Sequence, residues 1–284
     1  MTLDLSRVGE PLPPVVRSWD ETATMLYALG VGATELRYTT ENSEGVELVA
    51  LPSLAVTLRG RLLEVLATLG DIDPATALHA EERVELHHPL PNAGNVRTTT
   101  AVRAVYDKDP HALVIIETTG YAHDDEPLFT TSSSVMLRGA GAFGGERGPS
   151  ARGPAPEGAP DHVVEQSTRT DQALLYRLTG DRNSLHSDPA RAARAGFDRP
   201  ILHGLCTLGF ACRALVDTVA GGDPRAVAAF GARFSSPVFP GETLRTEIFV
   251  DPGRTGASFR TTASGAGGEY RGVLERGALE LRPT

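Results

Sequence analysis

Cysteine is nearly absent: the 284-residue chain has two, Cys206 and Cys212. A disulfide scaffold is therefore excluded, and the apolar neighbours of both residues mark them as core thiols. There is one tryptophan, and aromatic residues make up 6% of the chain. No apolar run approaches the roughly 20 residues needed to cross a bilayer. The N-terminal stretch MTLDLSRVGEPLPP has no apolar centre, so no signal peptide is expected. The C-terminal LELRPT is not a peroxisomal address of the SKL type. A cytoplasmic location is the expectation. Basic charge is also in deficit: 27 Lys and Arg face 36 Asp and Glu, for a net charge of −9. That balance argues against a general partner of nucleic acids or anionic membranes, but permits a local basic pocket. With 40% apolar and 22% charged residues, the chain is globular rather than disordered. Its length allows one large domain or two small ones.

Glycine and proline, by contrast, are concentrated. Half of the residues from Gly139 to Pro160 are one or the other, and regular structure should fail there. This divides the chain into a first unit (1–138), a linker (139–160) and a second unit (161–284). Phe143, Gly144, Gly145 and Arg147 are expected to remain against the protein. The two units resemble each other. Met25-Leu26-Tyr27-Ala28-Leu29 matches Leu174-Leu175-Tyr176-Arg177-Leu178. Pro52 matches Pro200, and Pro89 matches Pro237, both at a shift of 148. Ser18 with Glu21, and Thr168 with Asp171, have the spacing of helix capping boxes. Ile201, Leu205, Leu208, Cys212, Leu215 and Val219 recur at helical spacing, as do Leu51, Leu54, Leu58, Leu62, Val65 and Leu69. Each series predicts one long buried helix. Strand-like runs follow at 83–90, 96–106, 112–123 and 128–137, then at 226–234, 243–250, 257–264 and 269–282. The class is α+β, with a sheet wrapped around a helix in each unit: a double hot-dog fold.

The densest polar segment is Tyr176–Pro189, YRLTGDRNSLHSDP. Asp181 and His186 could converge on one small object, and a carboxylate with an imidazole can orient a water and move its protons. The same residues could equally make a polar loop. Asp188, before Pro189, reads as the cap of the next helix. In Pro200-Ile201-Leu202-His203-Gly204 a glycine opens a long helix, where free N–H groups and the helix dipole favour negative charge. Gly204 can serve an oxyanion hole or close packing alone. His203 reads as structural. His186, His203 and Cys206 lack a recognised metal spacing, so no metal is expected. At the matched positions the first unit has Gly32 for Asp181, Arg37 for His186, Ala55 for His203 and Val56 for Gly204. The polar set therefore occurs once. This favours one catalytic unit and one adapted to another task, such as holding a substrate tail.

Tyr176–Pro189 followed by Ala195–Thr207 (AGFDRPILHGLCT) resembles the hydratase 2 motif of (R)-specific enoyl-CoA hydratases in the MaoC-like dehydratase family. Met25–Ala33, Leu86–Gly94, Pro127–Thr131, Phe143–Arg147 and Phe230–Glu242 are also family-like, so the resemblance spans nearly the whole chain. It implies a double hot-dog fold, a trans-2-enoyl-CoA substrate and reversible syn addition of water to give a (3R)-3-hydroxyacyl-CoA. It implies that Asp181 and His186 are the catalytic pair, that Asn183 holds their loop, and that the Gly204 N–H meets the thioester oxygen. Substrate contacts are implied at His79, Ala80, Lys108, Arg182, Ser184, Leu185 and Phe234. No metal or other cofactor is implied; acyl-CoA is the expected partner and a homodimer a candidate assembly. Two places depart from the family pattern. Ser184 stands where a proline is usual, and Leu78-His79-Ala80-Glu81-Glu82 where a glycine and a glutamine are more typical. The competing readings are a hot-dog acyl-CoA thioesterase and a non-catalytic acyl-CoA-binding subunit.

Overall fold

In the computed structural model, which describes residues 3–60, 62–122, 125–149, 158–265 and 267–283, alternating burial turns the Val, Thr and Ile runs into strands. β4 (His111–Tyr121) alternates between half-buried and buried residues along its whole length, the period-two signature of a strand with one face on a core. The other strands are β1 (Val15–Trp19), β2 (Ala77–Leu86), β3 (Gly94–Lys108), β5 (Pro127–Leu137), β6 (His162–Ser167), β7 (Val227–Phe234), β8 (Thr243–Val250), β9 (Gly256–Ser264) and β10 (Tyr270–Leu281). They form a single sheet in the order β1-β3-β4-β5-β2-β7-β10-β9-β8-β6, antiparallel throughout. Counted from either edge, the two units use their strands in the same order. They meet where β2 pairs with β7.

That seam has approximate two-fold symmetry. Arg83 lies opposite Gly231, and the two residues are separated by the same 148 positions that relate the repeats. A Cβ on Gly231 would lie 2.5 Å from the Glu82 carbonyl oxygen and 2.8 Å from Arg83 Cα. Backbone, not a movable side chain, occupies the space. Gly231→Val is expected to cost about 3 kcal/mol, at the upper end of ordinary overpacking. The midpoint of urea unfolding measures it.

The helices are α1 (Glu21–Gly30), α2 (Leu36–Thr39), α3 (Ala55–Leu58), α4 (Leu62–Leu66), α5 (Gln172–Tyr176), α6 (Pro189–Arg194) and α7 (Gly204–Thr218). α7 is buried at every position from Leu205 to Val216, with the strands of the second unit around it, as the 201–219 periodicity predicted. The first unit differs from expectation. Its leucine series does not make one long helix but breaks into a 3₁₀ turn (Pro52–Leu54), α3, α4 and a second 3₁₀ turn (Ala67–Leu69). The break falls at Arg59, whose backbone is extended and whose guanidinium is drawn inward to Glu82.

Other expectations need correction. α1 is capped by Asp20, whose carboxylate accepts from the Ala23 N–H; Ser18 belongs to β1. Asp171 makes no cap bond and pairs with Arg169 instead, while the Thr168 hydroxyl donates to the Glu242 carbonyl. β2 begins at Ala77 rather than residue 83, and the short edge strands β1 and β6 were not anticipated. The expected end of the 112–123 strand at His123, and linker residues 150–157, lie outside the described residues. The preceding linker residues stay on the protein: the Ala142 and Gly144 N–H groups both donate to the Asp107 carboxylate. Cys206 and Cys212 are fully buried, and burial pushes both thiols up, Cys212 to about 12. Among the described residues no helix is long and apolar enough to cross a membrane.

Candidate active site

The Asp181–His186 segment folds into two successive polar turns. The Asn183 N–H donates to Asp181 Oδ1 at 3.1 Å. The Asn183 side chain in turn accepts from the Leu185 N–H at 3.1 Å, capping the 3₁₀ turn Ser184–His186. Asparagine suits this position because its short side chain bonds the backbone two residues on. Asp188 then caps α6 through the Ala190 N–H. Asp181, Arg182, Asn183 and Ser184 face solvent, Leu185 is half-buried and His186 is buried.

His186 Nδ1 lies 2.9 Å from the Ile201 carbonyl oxygen. A carbonyl only accepts, so Nδ1 carries the proton and Nε2 keeps its lone pair. Burial lowers the pKa of this ring, outweighing the Ile201 bond and the Asp181 charge, which raise it. The imidazole is therefore neutral at physiological pH. His203, 1% exposed, stacks on it with ring centroids 3.7 Å apart. Its Nε2 donates to the Asp181 carbonyl at 3.2 Å, and Tyr176 packs against it. Burial, with His186 beside it, drives His203 down to about 3. His203 thus holds both the Asp181–His186 loop and the His186 ring.

One polar side-chain atom from each of Asp181, His186 and His203 lies within 4.8 Å of the others. No hydrogen bond joins the Asp181 carboxylate to the His186 ring among the described residues. The spacing suits one water donating to both, since two ordinary hydrogen bonds meeting at an angle span it. It suits a metal poorly, because stacked imidazoles present their lone pairs side by side rather than toward one point. Cys206 does not join them; its thiol donates to the Gly30 carbonyl.

Gly204 is the first residue of α7, and His203, before it, supplies no side-chain cap. Among the described residues the Gly204 N–H has no partner, at the positive end of a fifteen-residue helix. The Phe234 ring lies 3.1 Å from where a Cβ on Gly204 would be. The absent side chain lets the ring, or a ligand, approach the helix end. His79 packs on Phe234, ring centroids 4.9 Å apart. Ala80 is the extra residue of a β-bulge between β2 and β5. Lys108 stands apart, at the end of β3 with β4 and β5 between it and β2. Its ammonium donates to the Pro149 carbonyl and lies over the Tyr106 ring.

Among the described residues the first unit has no counterpart of this arrangement. Arg37, in the position matched to His186, donates to the Gly222 carbonyl and pairs with Asp217. Ala55 and Val56 are plain core. Sequence reasoning missed the Ile201 carbonyl and the charged pair of Arg59 and Glu82. Backbone acceptors leave no residue-type signal, but Arg59 interrupting a leucine series was a visible one.

Residues 152–265 match the model of the MaoC-like domain, and residues 18–139 that of the N-terminal domain of MFE-2 hydratase 2. The 3-hydroxyacyl-thioester dehydratase Y of Mycobacterium tuberculosis is 44% identical, over 99% of both chains. The peroxisomal enoyl-CoA hydratase 2 of Arabidopsis thaliana is 39% identical over 86% of each. The crystal structure of a MaoC-like dehydratase from Phytophthora capsici superposes with a TM-score of 0.87 at 30% identity, covering 98% of each chain.

Proposed function

We infer the activity from one premise: the chain belongs to the MaoC-like dehydratase family, in its two-unit hydratase 2 form. It is an (R)-specific enoyl-CoA hydratase that adds water to trans-2-enoyl-CoA and removes it from (3R)-3-hydroxyacyl-CoA. The observation that carries this reading is the Asp181 carboxylate and the neutral His186 ring lying within 4.8 Å of each other, with α7 opening at Gly204 directly after His203, which stacks on His186. A water donating one hydrogen to Asp181 and the other to His186 Nε2 turns a lone pair toward C3. As the O–C3 bond forms, Asp181 takes the water proton, and the π electrons move onto the thioester oxygen. The Gly204 N–H and the α7 dipole stabilise that enolate oxygen. The proton held by the pair then passes to C2 from the same face. Addition is syn, and the pair returns to its starting state. No metal or redox group is required.

A cavity of about 230 Å³ with a mixed lining, in which Arg17, Ser18 and Thr57 sit among apolar side chains, is where an acyl tail would lie in this reading. Trp19, Ala23, Leu26, Leu54 and Leu58 line it from the first unit, and Leu178 to Gly180, next to Asp181, from the second. A first unit without acid–base groups is free to contribute such a wall.

Incubation with crotonyl-CoA tests the reading. Loss of enoyl absorbance without release of free thiol, yielding (3R)-3-hydroxybutyryl-CoA, is expected. Thiol release without hydration would instead mark a thioesterase, and no turnover a binding subunit.

A further inference from the structure

The first unit buries a charged chain that no step above uses. Glu82 is 0% exposed. Its Oε1 lies 3.5 Å from Arg59 Nε, its Oε2 lies 2.8 Å from His79 Nε2, and Ser133 donates to Oε2 at 2.6 Å. Residues three apart on a strand ordinarily point to opposite faces. The bulge at Ala80 turns His79 onto the face of Glu82, as bulges beside active sites do. The His79 ring then meets Phe234, and Phe234 meets the helix end at Gly204.

The fold alone does not require this chain. At the shift of 148, Arg59 and Glu82 correspond to Thr207 and Phe230, which make an ordinary buried core in the second unit. Well-packed apolar residues are usually as stable as a buried ion pair, or more so. An ion pair in only one of two equivalent places therefore calls for a role besides packing. Its other end leads to the functional helix N-terminus, across the seam between the units.

We propose that Arg59, Glu82 and His79 form a positioning relay by which the first unit sets the oxyanion hole of the second. Arg59 anchors the Glu82 carboxylate, the carboxylate fixes the His79 ring, and that ring holds Phe234 against Gly204. Burial alone would push the Glu82 carboxyl up, but Arg59, His79 and Ser133 together hold it below its ordinary value, so Glu82 is ionised at working pH. The inference rests on Gly204 as the donor to the thioester oxygen.

Two double variants test it. R59M/E82M replaces the ion pair by apolar side chains and removes the carboxylate that lies against His79. It should unfold at the same temperature as the wild type or higher. Its kcat for crotonyl-CoA should fall about 10-fold with KM within about 2-fold, a part of the 10²–10³ that loss of a whole oxyanion donor costs. The Gly204 amide resonance, read in ¹⁵N-glycine-labelled protein, should move. R59M/E82Q restores a polar oxygen beside His79 without an unpaired charge, and should return both readouts, with kcat within about 3-fold of wild type. An R59M/E82M variant with wild-type kcat and an unmoved Gly204 resonance would overturn the proposal. So would kcat losses in both variants that merely follow their unfolding temperatures. A wild-type protein that does not hydrate crotonyl-CoA would sink the functional reading instead, and the Gly204 resonance would still judge the relay.

Discussion

Asp181→Asn should lower kcat/KM for crotonyl-CoA hydration by at least ~100-fold, and His186→Ala should do the same, in the range for positioned acid–base groups. The asparagine variant isolates chemistry from architecture. Its Oδ1 can still accept from the Asn183 N–H, and the Asp181 carbonyl still receives His203, so the loop should keep its shape while the carboxylate charge is lost. In His186→Ala the Ile201 carbonyl loses its donor and His203 its stacked ring, so circular dichroism must accompany the kinetics. In the proposed mechanism the two groups act on one water, so the double variant should lose little more than either single one. Burial keeps His186 neutral through physiological pH. The acid limb of the pH–rate profile therefore falls below the ordinary histidine value of 6.5. Unchanged hydration by either single variant would place the site elsewhere.

Arg59→Met alone should destabilise the fold by about 3–5 kcal/mol at neutral and alkaline pH, the cost of leaving a buried charge without its partner. The pH dependence carries the sign. In the wild type the folded pKa of Glu82 lies below its ordinary 4.5. The stability it contributes is complete above the unfolded value and is lost as pH falls through the folded one. Without Arg59, burial raises the folded pKa above the unfolded value. Stability is then lost as pH rises through the raised value, and protonation at acid pH relieves the unpaired charge. Urea midpoints should show a deficit against wild type that shrinks from roughly pH 8 to pH 5. A deficit independent of pH would mean that Glu82 is not the group left unpaired.

The second unit was the more legible half. Its helix series from Ile201 to Val219 has an apolar stripe with no break, and its strands lie within a residue or two of where Val, Thr and Phe alternate. The first unit misled because Leu51 to Leu69 keeps helical spacing across the interruption at Arg59 and Gly60. Periodicity records which residues are inward, not whether the backbone is continuous. Both edge strands escaped because each is short and paired on one side only. In the candidate site, residue types located Asp181, Asn183, His186 and Gly204. The protonation of His186 depends on the Ile201 carbonyl, and the contact between His79 and Phe234 on a bulge and a seam joining distant segments. Neither has a signature in local spacing.

The pairing of β2 with β7 also explains why unlike halves share one chain. A free second unit would carry β7 as a bare edge, and its best partner would be another β7, with Gly231 against Gly231 on a true two-fold axis. That assembly would have two Asp181–His186 loops but no Arg59, no Glu82 and no cavity walled by Leu54 and Leu58. Covalent fusion removes the self-pairing option and makes every molecule a heterodimer in effect.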